Sequence, residues 1–146
     1  MNAAPQIGEL HAVPDYAGMG CTVLALCAVT GRSRRYIQCI LRQIGIEDFS
    51  SIAPRVWKNA LPLLKLNHET IIDDIQAPIH PFMEEHAYRG LLLVVAWDNR
   101  DKGHVFAAKG RDFVDIYTYG EIGRNLAPPR GWPDFRVRQI VRVWPR

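Results

Sequence analysis

The chain reads as an α+β domain in which amino-terminal helices pack on a carboxy-terminal antiparallel sheet. Three observations predict this. Apolar residues recur at helical spacing through Leu61, whereas from Leu91 onward short apolar or alternating runs are separated by clusters of Gly, Pro, Asp and Asn. The composition, 48% hydrophobic and 23% charged over 146 residues, suits a single folded unit spanning 1–146. A chain of this size buries roughly 68–70% of its unfolded surface, enough for a substantial core. Helices first and a meander of strands afterwards is the α+β order.

The first helix follows Gly18-Met19-Gly20. Residues 21–30, CTVLALCAVT, are apolar nearly all round, which marks a buried helix, and Gly31 stops it. Ser33 is placed to cap a second helix whose apolar positions Tyr36, Ile37, Ile40, Leu41 and Ile44 run to Gly45. A third starts at Ser50 or Ser51, carries Ile52, Val56, Trp57 and Leu61, and is bent or ended by Pro62. Residues 66–79 fit neither period. Pro81 suits a first helical position, with Gly90 as the stop of that helix.

Leu91 to Trp97 is wholly apolar, as in a strand buried on both faces. Residues 98–103 form a turn by composition. His104–Ala108 is the next strand, 109–112 a tight connection and Phe113–Tyr119 a third strand. Gly120–Pro133 is a Gly- and Pro-rich loop, and Phe135–Trp144 alternates as a strand with one apolar face.

Several function classes are excluded at this stage. The longest apolar run is far short of the ~20 residues a membrane-spanning helix needs. The start, MNAAP, has neither basic nor apolar leader character, so no signal peptide is expected. Three cysteines argue against a disulfide framework and for a reducing, cytoplasmic setting. The net charge of +3 includes clusters at Arg32, Arg34, Arg35 and at Arg130–Arg146, read as solvated faces, so nucleic acid is not an expected partner. His80 and His86 are six apart and cannot chelate from one helix face, so no metal is expected, and no phosphate-binding glycine loop is present.

The chemistry-bearing set is Cys21, His104 and Asp115. Cys21 begins the buried helix, where unpaired N–H groups and the positive end of the dipole favour a thiolate and can hold an oxyanion. Cys27 and Cys39 lie inside helices and read as buried structural cysteines. A thiolate nucleophile needs an imidazole, and the imidazole an orienting acceptor. His104 opens an apolar strand after a glycine, and Asp115 is a carboxylate within an apolar run that needs a partner. Pairing centred near residue 110 sets 104 opposite 116. Putting His104 and Asp115 on one face then requires a register change or a bulge in the turn.

At these residues the chain resembles the papain-like cysteine peptidase fold, in the compact form of small proteins encoded by bacteriophages and bacteria. The matching features, in order, are Gly20-Cys21 before an Ala- and Leu-rich helix ending in Thr30-Gly31, then Arg34-Arg35-Tyr36 opening a second helix. Gly103-His104-Val105-Phe106-Ala107, Val114-Asp115 and a closing Ile140-Val141-Arg142-Val143-Trp144 follow. The resemblance implies Cys21 as nucleophile, His104 as general base and acid, and Asp115 as the residue orienting the imidazole. It also implies a polar side chain upstream of the cysteine. Residues 14–19, PDYAGM, hold no Gln or Asn, which leaves Tyr16 as the near-site candidate, with Asp15 beside it. The implied activity is cofactor-free hydrolysis of a peptide, amide or isopeptide through a thioester, with acyl transfer open to the same triad. The alternative is an inactive papain-like protein that binds a partner, such as a phage protein occupying a bacterial host complex.

Overall fold

A computed structural model describes residues 8–86, 90–98, 102–124, 132 and 134–146. The segment read for a leader and most of the Gly120–Pro133 loop, including Arg130, Gly131 and Pro133, lie outside the described residues. The architecture is α+β on an antiparallel sheet. Helices α1 (Cys21–Thr30), α2 (Arg34–Gln43), α3 (Pro54–Trp57) and α4 (Ile79–His86) accompany seven strands. These are β1 (Leu66–Ile72), β2 (Ala77–Pro78), β3 (Leu91–Trp97), β4 (Gly103–Lys109), β5 (Asp112–Val114), β6 (Ile122–Gly123) and β7 (Arg136–Pro145). The sheet runs β1-β7-β3-β4-β5-β6, with β2 also on β7. Among the described residues no helix is long and apolar enough to cross a membrane.

The sheet has apolar side chains on both faces. On one face Leu91, Leu93 and Val95 of β3, Val105 and Ala107 of β4, and Val141 and Val143 of β7 meet α1, α2 and Trp57. On the other, Leu92, Val94, Phe106, Ala108, Val137 and Ile140 meet Met83 of α4. The all-apolar helix is explained by this placement, since Thr22 through Val29 are buried on every side, between the sheet and α2. Ser33 caps α2 as its position predicts, accepting from the Tyr36 N–H at 3.1 Å.

Several expectations are corrected. The third helix does not begin at Ser50 or Ser51; residues 50–53 are not helical, and α3 starts at Pro54, where proline's fixed φ suits the first helical turn. Helix α4 starts at Ile79, two residues before Pro81. Strand β5 ends at Val114, and residues Ile116–Thr118 form a 3₁₀ turn rather than the rest of a strand. Strand β7 is not one-sided. It lies between β1 and β3, and a bulge opposite Val95–Ala96 shifts its alternation, so Val137 and Ile140 face one core and Val141 and Val143 the other. Cys27 is buried as read, but Cys39 is exposed.

Candidate active site

Three elements meet at one edge of β4. Strand β5 pairs as Ala107↔Val114, Ala108↔Phe113 and Lys109↔Asp112, around the two-residue turn Gly110–Arg111. Extending that register sets His104 opposite Tyr117 and Phe106 opposite Asp115. Residues 104, 106 and 115 then share one face, through a one-residue change of register from pairing centred on residue 110 and without a bulge. Because β5 ends at Val114, β4 has no strand partner on that side at His104 and Val105 among the described residues. The start of α1 fills this place, and Cys21 takes a hydrogen bond from the Val105 N–H and one from the His104 ring.

Asp115 is held by its own turn. Its N–H donates to Thr118 Oγ1 at 2.9 Å, and its Oδ1 accepts from the Ile116 N–H at 2.7 Å, a reciprocal cap of the 3₁₀ turn. The same Oδ1 lies 2.7 Å from His104 Nε2. Its Oδ2 is buried and meets no donor among the described residues. Nε2 therefore carries the proton toward the carboxylate, and Nδ1 is the nitrogen left for the sulfur. Both partners are buried, His104 at 9% exposure and Asp115 at 1%.

Burial pushes the Cys21 thiol up, but the hydrogen bond and charge of His104 and the Val105 N–H outweigh it, against a smaller opposing push from Asp115. The thiol ends below its ordinary 9.0. Burial likewise disfavours the imidazolium of His104, yet the hydrogen bonds and charges of Asp115 and Cys21 raise it from 6.5 to about 9. Both directions favour a thiolate–imidazolium pair. Cys27 is the opposite case. Burial, with Asp15 adding to it and Arg34 opposing, drives it up to about 12, so it stays a thiol.

These shifts give the stability a definite pH dependence. Taken alone, a raised His104 loses stabilisation as pH climbs from 6.5 to about 9, since the fold then holds a proton that the unfolded chain has released. Taken alone, a lowered Cys21 gains over the range below 9.0, where the fold has released a proton that the unfolded chain retains. Between 6.5 and about 9 the two slopes have opposite signs and oppose each other. The Tm difference between wild type and a Cys21→Ser/His104→Gln double variant is expected to change only weakly with pH over that range. Calorimetry across pH measures it, and a steady slope through pH 7–8 would contradict the ion pair.

Beside the sulfur a cleft of about 400 Å³ opens between residues 50–54 and the ends of β3 and β4. Ile52, Trp57, Val95 and Trp97 give it apolar walls, with Ser50, Ser51 and Lys102 contributing polar groups. The structure thus brings Cys21, His104 and Asp115 together. Tyr16 and Asp15 are not among the residues lining the cleft. The Tyr16 ring meets Tyr119 edge-on at 6.1 Å, and Asp15 is exposed. Arg34, read as part of a solvated arginine face, instead donates to the Ala17 and Gly18 carbonyls, each at 2.9 Å, and fixes the turn that leads into Cys21. Phe135 and Tyr117, which surround the imidazole, carry no local sequence signal of that role. Among the described residues no group of three His, Cys, Asp or Glu is placed to hold a metal ion. No protein-family model, curated protein or solved structure matches the chain.

Proposed function

We propose that the protein is a thiol hydrolase of papain-like fold acting on amide, peptide or isopeptide bonds. The observation that carries this reading is the continuous Cys21–His104–Asp115 chain, with its nucleophile at the start of a buried helix and beside an apolar cleft. In the proposed reaction the Cys21 sulfur attacks the carbonyl carbon, and the Cys21 N–H at the helix start, which has no side-chain cap competing for it, donates to the oxyanion. His104 Nδ1–H gives its proton to the leaving amine as the C–N bond breaks. The same nitrogen then takes a proton from the water that hydrolyses the thioester, releasing the acid and restoring the thiolate–imidazolium pair. Asp115 keeps Nδ1 aimed at the sulfur throughout. The reducing setting expected from three unpaired cysteines favours a cytoplasmic substrate, in the host when the protein is phage-encoded.

Iodoacetamide labelling from pH 5 to 9, with each cysteine assigned by mass spectrometry, tests the reading. Cys21 is expected to label fast at pH 5–6 while Cys27 stays silent, and His104→Ala is expected to remove the acid reactivity. Uniformly slow labelling would dismiss the hydrolase. A second reading, a binding module that keeps the fold, is favoured by one observation: neither Asp15 nor Tyr16 reaches the cleft to assist the oxyanion. An activated Cys21 that accepts an acetyl group from p-nitrophenyl acetate but does not release it to water would support that second reading.

A further inference from the structure

The His104 imidazole is enclosed by aromatic rings as well as by its two polar partners. Phe135, from the segment entering β7, stacks on it with centroids 4.7 Å apart and planes 5° apart. Tyr117 meets both rings edge-on, at 5.9 Å from His104 and 6.1 Å from Phe135. Phe106, two residues along β4, lies 6.4 Å away. Phe135 is itself buried, and Trp132 packs edge-on against it at 6.4 Å, so the stacked ring is fixed in place.

We propose that Phe135 is a positioning residue of this site, which locks the imidazole plane between Cys21 and Asp115 and stabilises the imidazolium through its π face. The inference rests on the hydrolase reading for its purpose but on the stacking geometry for its substance. Two imidazole nitrogens can point at a sulfur and a carboxylate only while the ring plane contains both directions, and a parallel ring at van der Waals distance opposes rotation out of that plane. An aromatic face within about 6 Å of a cation also attracts it, most strongly where water is excluded. The charged and titratable groups around the ring are Cys21 from α1, Asp115 and Tyr117 from the 3₁₀ turn, and Asp98 and Lys102 from the connection between β3 and β4. Among the described residues the Phe135 side brings no such group against the ring, since its neighbours Asp134 and Arg136 are exposed.

The test is an NMR titration of the His104 ring proton in the Cys21→Ala protein, with and without Phe135→Leu. Leucine keeps the site buried and apolar but offers no π face. The His104 midpoint is expected to fall by roughly half to one pH unit in Phe135→Leu and to return in Phe135→Tyr. In proteins that retain Cys21, Phe135→Leu is expected to slow acid-side alkylation severalfold, with rescue by Phe135→Tyr. Should Phe135→Leu fail to fold, Phe135→Met supplies the same comparison. A midpoint that does not move on loss of the ring overturns the proposal. Because the readout is the imidazole and not turnover, the two ideas fail separately. A shifted midpoint with slow Cys21 labelling in wild type would remove the hydrolase and leave the stack, and the reverse would remove only the stack.

Discussion

Replacing Asp115 by Asn is expected to cut Cys21 alkylation at pH 6 by at least about tenfold and to lower the Tm by several degrees. The substitution keeps Oδ1, so the bonds to His104 Nε2 at 2.7 Å and from the Ile116 N–H at 2.7 Å retain an acceptor. What it removes is the negative charge. Burial disfavours the imidazolium, and the carboxylate is the first of the two groups that overcome this. Without its charge the His104 midpoint falls from about 9 back toward, or below, 6.5. Cys21 loses the cation beside it and its thiol re-protonates, and each pH unit of displacement is a factor of ten in thiolate below the midpoint. The relief of Asp115's own opposing charge on Cys21 works the other way but is the smallest of the influences on that thiol. The stability loss has a separate origin. An amide places an NH₂ where the buried Oδ2 meets no partner among the described residues, and an unsatisfied buried donor costs about 1–3 kcal/mol. For a domain this size that is roughly 2–4 °C per kcal/mol. Mass-spectrometric labelling and calorimetry on the same preparation separate the two effects. Unchanged labelling at pH 6 would show that the imidazole draws its charge stabilisation from elsewhere.

Where the sequence was legible, the signal was local. The buried helix from Cys21, its stop at Gly31, the Ser33 cap and the all-apolar β3 each follow from residues within one turn or one strand of the feature. The partnership of His104 and Asp115 was legible as a need, because a carboxylate among apolar residues must find a donor. Its geometry was not, since everything depended on whether the pairing centred on residue 110 or between residues 110 and 111. Strand β1 was illegible for a different reason. It is an edge strand of the sheet, exposed across His68, Glu69 and Thr70, so no alternation marks it, and its partner β7 lies far away at the end of the chain. The bulge in β7 shows the same limit. Only the tertiary packing of two cores decides that Val137 and Ile140, three residues apart, share one face while Val141 and Val143 are buried on the other. The stack of Phe135 on His104 joins a residue of β4 to one just before β7, and nothing in the neighbourhood of either residue announces it.

The second large effect is expected at Gly20, where the need for glycine comes from space and not from backbone angle. Its φ of −68° and ψ of 157° suit any residue, so propensity alone would rate alanine as harmless. A Cβ there would stand 2.4 Å from the Phe49 carbonyl oxygen, a distance that forces a shift of main chain. Trimming the Phe49 side chain cannot relieve it, because the obstacle is backbone. Gly45 is the informative contrast. It has a φ of +89° but open space around its Cβ position, so Gly45→Ala carries only conformational strain, of order 1–2 kcal/mol. Gly20→Ala instead must push the chain at Phe49 away from the start of α1, at a cost of about 2–4 kcal/mol, comparable to overpacking a core. The displaced segment leads directly into Ser50–Pro54, one wall of the cleft, and the displaced helix start carries Cys21. The two variants are therefore expected to differ in kind. Gly45→Ala lowers the Tm modestly and leaves the acid labelling of Cys21 intact, whereas Gly20→Ala lowers it further and also slows that labelling, because the sulfur no longer meets His104 and the Val105 N–H together. If Gly20→Ala were as stable and as reactive as wild type, the close packing of the Phe49 carbonyl against α1 could not be what fixes the nucleophile beside its cleft.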